Sequence, residues 1–370
     1  MGSKLILRDW TGLSDLVLDL IFQKLPSCSD CLCFGAVCKS WLFFVSNNYD
    51  ALQQRGDTNS IAELPLLMIF KGPIGDMPAI NTSLYSVTKG KIVLDLEIPL
   101  RYWTHECVGS SHGWLAFQAP NSFVLFNPFT HEKINLPPLE FDAHKVILSK
   151  NPSTSTYDYE VAAMSTSWTE DKVAILKPGR KTWIPIHGII RGCNDMIYYD
   201  DRYYIVTYYG KVLSIDNTTL KYKEIAPPST YKEFKEFYLV KTTTNELLRV
   251  EILRPHAKPT SVKIWKLVAR PTTQQSMFVE LDNLGDEVLF LSQHCSISVL
   301  ASKFSGCKAN SIFYMYRYGS PCKPWMFCVD FIHLQDGTFN THFSFNTQTH
   351  DKYHTMPPAL WIVPTPKFNT

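Results

Sequence analysis

The sequence predicts a small all-α head followed by an all-β propeller of six or seven blades, and three observations predict it. Apolar residues recur at helical spacing only before about residue 50. From Leu64 onward, short apolar runs alternate with Pro, Gly, Asn and Asp. Finally, a strand-rich unit repeats at the length of a propeller blade. The expected division is a head at 1–50, a linker at 51–63 and a propeller at 64–366.

In the head, Leu16, Leu20 and Ile21 lie on one helical face and Val37, Trp41 and Val45 on another. Ser14-Asp15 offers a capping oxygen and a negative charge where the first helix starts, and Leu25-Pro26 disfavours its continuation past Lys24. The second helical stretch begins near Ser29-Asp30. Fifty residues with so few apolar positions make a marginal core, so the head is expected to complete its burial against something else.

Predicted strands include Lys91–Leu94, Gly113–Phe117, Phe123–Phe126, Lys172–Leu176, Arg202–Val206 and Val288–Leu291. The repeat reads as three strands, the last closing on a hydrophobic-proline stop. The stops are Leu96-Glu97-Ile98-Pro99, Ile134-Asn135-Leu136-Pro137, Thr182-Trp183-Ile184-Pro185, Lys223-Glu224-Ile225-Ala226-Pro227 and Tyr353-His354-Thr355-Met356-Pro357. Their prolines are 38, 48 and 42 residues apart before a gap of 130, which has room for one or two degenerate units, one closing near Phe278–Leu281. Evenly spaced strands also make β-sandwiches; repetition at blade length favours the propeller.

Composition narrows the function. With 36 Lys+Arg against 34 Asp+Glu, the chain lacks the basic excess of a nucleic-acid binder. The longest apolar run, Leu64–Phe70, is broken by Pro65 and far too short for a membrane span. No export or lipidation signal is read at Met1–Ile6. Ten cysteines at irregular spacing in a chain this long suggest a reducing compartment, so cytoplasm and/or nucleus is expected, and the triplets at Asn81 and Asn217 are chance glycosylation matches.

Trp10-Thr11-Gly12-Leu13-Ser14-Asp15-Leu16-Val17-Leu18-Asp19-Leu20-Ile21, then Lys24-Leu25-Pro26, Phe34 and Val37-Cys38-Lys39-Ser40-Trp41 resembles an F-box. That resemblance implies a three-helix module that docks on the Skp-type adaptor of an SCF ubiquitin ligase. Ser14 stands where the family usually has Pro. Carried over residue by residue, it makes Leu13, Ser14, Leu16, Leu20, Leu25, Pro26, Val37 and Trp41 the expected adaptor contacts. The remainder resembles the KIB-type β-propeller of plant F-box proteins. This likeness rests on Ser111-His112-Gly113-Trp114-Leu115, on Phe126-Asn127-Pro128-Phe129-Thr130 with Ile134-Asn135-Leu136-Pro137-Pro138, and on Met356–Pro364. Together these imply a substrate-receptor subunit of a cullin ubiquitin ligase, which binds an unidentified target protein and needs no catalytic residue or cofactor of its own. A propeller-based carbohydrate binder or enzyme, prompted by Trp103, Trp168, Trp265 and Trp325, and a cullin-independent F-box scaffold stay open as alternatives.

Other constellations favour structural readings. Cys28-x-x-Cys31 has no second metal-ligand pair at finger spacing, and His342, His350 and His354 fall in a predicted strand and turn, so no metal is expected. Gly72-Pro73-Ile74-Gly75 lacks the residues of a phosphate cradle. Asp200-Asp201 and the pair Asp282 and Asp286 read as solvated turn charges. The run Lys232–Phe237 reads as a strand with a charged edge.

Overall fold

A computed structural model describes residues 12–25, 30, 34–35, 37–38, 40–41, 43–45, 48, 64–71, 79–101, 105–155, 158–166, 171–188, 192–228, 235–254, 258–269, 276–304, 306–318, 326–346 and 359–364. Six sheets arranged around an axis form a six-bladed β-propeller. Blade one pairs β1 (Leu66–Lys71), β2 (Ala79–Ser86) and β3 (Lys91–Arg101) with the last strand among the described residues, β25 (Ala359–Ile362). Blade two is β4 (Glu106–Ser111), β5 (Trp114–Ala119), β6 (Ser122–Phe126) and β7 (Lys133–Leu136). Blade three is β8 (Lys145–Leu148), β9 (Val161–Met164), β10 (Val173–Leu176) and β11 (Ile184–Ile186). Blade four comprises β12 (Cys193–Tyr199), β13 (Arg202–Thr207), β14 (Val212–Asp216) and β15 (Tyr222–Ala226). Blade five comprises β16 (Lys235–Lys241), β17 (Leu247–Leu253), β18 (Ser261–Ala269) and β19 (Ser276–Leu281).

Blade six departs from the rule. Its strands are β20 (Glu287–Leu291), β21 (Ser296–Leu300), β22 (Ser311–Tyr318), β23 (Met326–His333) and β24 (Thr338–Asn346), in the order β21-β20-β22-β23-β24 with β20 and β22 parallel. The chain enters at the second position and returns to the axis with β21. The ring is then closed by β25, which pairs Leu66 with Ile362 and Ile69 with Ala359.

Each seam between neighbouring blades holds its own hydrophobic core. In β13, Tyr203 and Ile205 face the seam with blade three, whereas Tyr204 and Val206 face blade five. Successive side chains of a strand point to opposite faces, and here both faces are covered. Strands inside a blade therefore read as continuous apolar runs such as Val161–Met164, all four residues buried. A two-layer sandwich would leave one face of each sheet in water, so alternate residues would be polar.

Several expectations are corrected. The blade count is six, within the expected six or seven, but a regular blade has four strands where the repeat reads as three, because the sequence does not separate the inner strand from the connection before it. The proline stops mark the outermost strands β3, β7, β11 and β15, although Pro99 and Pro185 sit within their strands and do not end them. Proline is tolerated there because an outermost strand has one unpaired edge. Blades five and six fill the 130-residue gap, and β19 contains Phe278–Leu281 as expected. The stop at Tyr353–Pro357 lies outside the described residues.

Among the described residues of the head, one helix has defined bounds, α1 (Asp15–Phe22). Residues 30, 34–35, 40–41, 43–45 and 48 are also helical, with a bend at 37. The described part thus does not resolve a clear three-helix unit. Ser14 precedes α1 in extended conformation and makes no side-chain capping bond, contrary to expectation; its carbonyl accepts from the Val17 and Leu18 amides at 2.9 and 3.0 Å. The burial partner that so small a head needs is the propeller. Leu18, Phe22, Phe34, Trp41, Phe44 and Val45 belong to one hydrophobic cluster with residues of blades one and two, among them Met68, Ile98, Leu100, Leu115, Phe117 and Phe126.

Candidate functional site

The head presents an apolar surface on the side away from that shared core. Within α1, Leu18 and Phe22 are four apart and both 1% exposed. Phe22 meets Phe34 at 5.9 Å and Phe44 edge-on at 5.8 Å, and Phe34 lies 4.5 Å from Trp41. On the opposite side, Leu16 and Leu20, also four apart, are 76% and 57% exposed, with Val17 beside them. The bend brings Val37 to the surface at 54% exposure, and Phe43 is exposed as well. Among the described residues, five of the eleven large apolar side chains most open to solvent therefore fall between residues 16 and 43. Such concentration marks a contact surface, whereas isolated exposed apolar residues need no explanation.

The sequence-predicted contacts separate by role. Leu16, Leu20 and Val37 are exposed and available. Leu13 and Leu25 are half-buried against the cluster that holds Leu18 and Phe22, as is Ile21. Ser14 is exposed at the helix entry. Trp41 is buried, filling the head's interior beside Phe34. Pro26 lies outside the described residues. Sequence reasoning missed Val17 and Phe43; the signal for Phe43 was its place before Phe44 and Val45, which face inward.

Polar groups border the apolar stripe. Asp15 stands in the first turn of α1, where a carboxylate complements the helix dipole. Asp19 accepts from the Gln23 amide at 2.6 Å, and Cys38 Sγ lies 3.1 Å from Ser40 Oγ.

In the propeller, the suspected carboxylates prove to be turn residues. Asp200 and Asp201 have φ of +48° and +52° in the two-residue turn between β12 and β13, and Tyr198 donates to Asp201 at 2.9 Å. Aspartate tolerates this left-handed conformation better than most residues. Asp286 accepts from the Ser302 amide at 3.0 Å, and Asp282 is exposed. His342 is exposed on β24, its ring 5.6 Å from Phe313. Cys28, Cys31, His350 and His354 lie outside the described residues, as do Trp103, Trp168 and Trp325. Trp265 is half-buried with the Arg249 guanidinium 5.3 Å over its ring, which removes it from sugar stacking on that face. Among the described residues outside the head, the most exposed aromatic is Tyr209, 70% open in the turn between β13 and β14, with Tyr208 beside it.

Comparison with known proteins agrees with this architecture. A putative F-box protein of Arabidopsis thaliana, At4g22660, is 24% identical over 369 residues, covering 85% of this chain and 88% of that one. A second, At3g25750, is 22% identical over 339 residues, covering 83% and 88%. The F-box protein SKIP23 of the same plant is 22% identical over 366 residues, covering 83% and 84%. Among solved structures, the N-terminal domain of Nup159 aligns at a TM-score of 0.34 with 8% identity, covering 74% of this chain and 79% of that one, a likeness too weak to argue from. The family model described as KIB1-4 beta-propeller matches residues 84–346, reaching from β2 through β24, and the chain belongs to that family.

Proposed function

We propose that the protein is a substrate-receptor subunit of an SCF-type ubiquitin ligase. In this reading residues 1–50 form a three-helix F-box that binds a Skp-type adaptor and through it a cullin, 51–63 link it to the propeller, and 64–366 bind a target protein. The observation that carries the reading is the stripe of Leu16, Leu20, Val37 and Phe43 left in water on a head whose Leu18, Phe22, Phe34, Trp41, Phe44 and Val45 are buried. Its relatives' names support the assignment. Exposing a leucine forfeits roughly 1.5–3 kcal/mol that burial would contribute, so several together favour a partner that covers them.

Catalysis would then be positional. The chain would hold the target's lysines at high effective concentration near a thioester carried by another protein, a role that asks nothing of its own side chains beyond binding. The exposed turn with Tyr208 and Tyr209 is one place for target contact, since loop tyrosines supply large contact area at small entropic cost. The setting would be cytoplasm and/or nucleus.

Co-purification of the intact chain with a Skp-type adaptor and a cullin tests this. Leu16→Asp with Leu20→Asp is expected to abolish adaptor capture while leaving the melting curve in place. Retained capture in the double variant, or no capture by the unaltered chain, would refute the reading. Adaptor capture without cullin would instead support a scaffold.

A further inference from the structure

The strands next to the axis, β4, β8, β12, β16, β21 and β25, bring side chains from opposite blades together at one end of the ring. His144 immediately precedes β8 in blade three, and His294 lies in the turn between β20 and β21 of blade six. These blades are three apart in a ring of six and so face each other across the axis. Their imidazole centroids are 5.6 Å apart with the ring planes at 49°.

The surroundings fix one ring. The His294 ring adjoins the His144 backbone, and its Nδ1 is buried with no hydrogen-bond partner. A buried imidazole nitrogen without a partner, on a ring that faces a second imidazole across the axis, has the makings of a metal ligand. The His144 backbone is itself held, its amide donating to the Met164 carbonyl at 2.7 Å.

The charged groups nearby suit a neutral ligand pair. Lys145 adjoins the site, but its ammonium is paired with the Asp195 carboxylate, and that carboxylate also accepts from the Leu239 and Met196 amides at 2.8 and 2.7 Å. Cys295 is buried beside Ser110, Lys145 and Asp195, and burial pushes its thiol up to about 12.

We propose that His144 and His294 together ligate one divalent transition ion of the zinc class across the mouth of the axial channel, clipping blade three to blade six. An ion about 2.1 Å from one nitrogen of each ring, at a tetrahedral to trigonal angle, would hold the centroids roughly 5–6 Å apart. Among the described residues no third His, Cys, Asp or Glu joins them, so water completes the coordination. Imidazole with water suits Zn²⁺, Co²⁺ or Ni²⁺ and not the hard cations Ca²⁺ or Mg²⁺. This inference does not depend on the ligase reading.

The test uses the untagged intact chain, stripped of metal and titrated with Zn²⁺ while binding and thermal unfolding are followed. One zinc per chain is expected, and it should raise the unfolding midpoint by a few degrees, because an ion that binds the folded state alone stabilises it. His144→Gln and His294→Gln should each weaken binding by roughly tenfold or more and erase the thermal shift. His350→Gln with His354→Gln should change neither. Cobalt-loaded unaltered protein provides a readout that survives a misfolded variant: visible d–d bands without a thiolate-to-cobalt band are expected. A thiolate band, unaltered zinc binding in the His294 variant, or no saturable binding at millimolar zinc would overturn the proposal.

Discussion

Lys145 and Asp195 form an ion pair across the seam between blades three and four, with side chains 3% and 1% exposed. Neither group can find water if the other is removed, and burial already drives the Asp195 carboxyl above its usual range despite the ammonium beside it. Lys145→Met is therefore expected to cost about 3–5 kcal/mol in urea unfolding, because the carboxylate and its 2.8 Å bond from the Leu239 amide of blade five are left uncompensated. The double change Lys145→Met with Asp195→Asn should cost clearly less than the two single changes added, a non-additivity that a double-mutant cycle reads directly.

Gly109 lies where β4 bulges and approaches the Val146 backbone of β8. A methyl group there would overlap the Val146 carbonyl, and backbone cannot swing aside as a side chain can. Gly109→Ala should cost about 3 kcal/mol, near the upper end for overpacking. Gly90→Ala makes the comparison: its φ is +63° but nothing lies within 4 Å, so about 1 kcal/mol from backbone strain alone is expected.

Glu106 opposite Gln118 has its carboxyl raised to about 7, first by burial and then by the nearby Asp142 charge. A folded-state value above the unfolded one means that its contribution is fully present below the unfolded value of 4.5 and fades as pH rises through about 7. Glu106→Gln is thus predicted to raise stability at pH ~8 by on the order of 2 kcal/mol, discounted for partial exposure, and to change little at pH ~4. Equal effects at the two pH values in chemical denaturation would contradict it.

The two sides of α1 should respond oppositely to change. Phe22→Ala removes a ring that touches both Phe34 and Phe44 and should cost about 3–5 kcal/mol. Leu20→Asp, at 57% exposure, should stay within about 0.5 kcal/mol of the unaltered chain. Thermal unfolding of the two variants separates the faces without any partner present.

Sequence reasoning reached the propeller because its outer strands end in turns with recognisable chemistry. Asn127 shows why: its side chain accepts from the Phe129 and Thr130 amides at 2.9 and 3.2 Å, building the turn between β6 and β7 that the Asn-Pro pair announces. The inner strands lack such punctuation. Lys145–Leu148 looks like a loop with a lysine in it until Asp195, fifty residues on, supplies the counter-charge. Blade six was hidden because its strands are out of order, and β20 pairs in parallel with β22. In the head, helical periodicity put Leu16 and Leu20 together correctly but could not say which side was inward. That answer depends on blades one and two, whose Ile98 and Leu115 share the cluster with Leu18 and Phe22. His144 and His294 are 150 residues apart, and no local pattern joins them.

Closure by β25 has a consequence for how the molecule comes into being. Leu66 leaves the ribosome 293 residues before Ala359, which opens the strand that pairs with β1 in the same blade. At about 5–20 residues per second, the edge of β1 waits roughly 15–60 s for the strand that covers it. During that interval Leu66, Leu67, Met68 and Ile69 offer an open apolar edge to chaperones or to one another's copies. A message cut short anywhere upstream of Ala359 yields a chain in which that edge is never covered, so the fold itself reports whether translation passed Ile362.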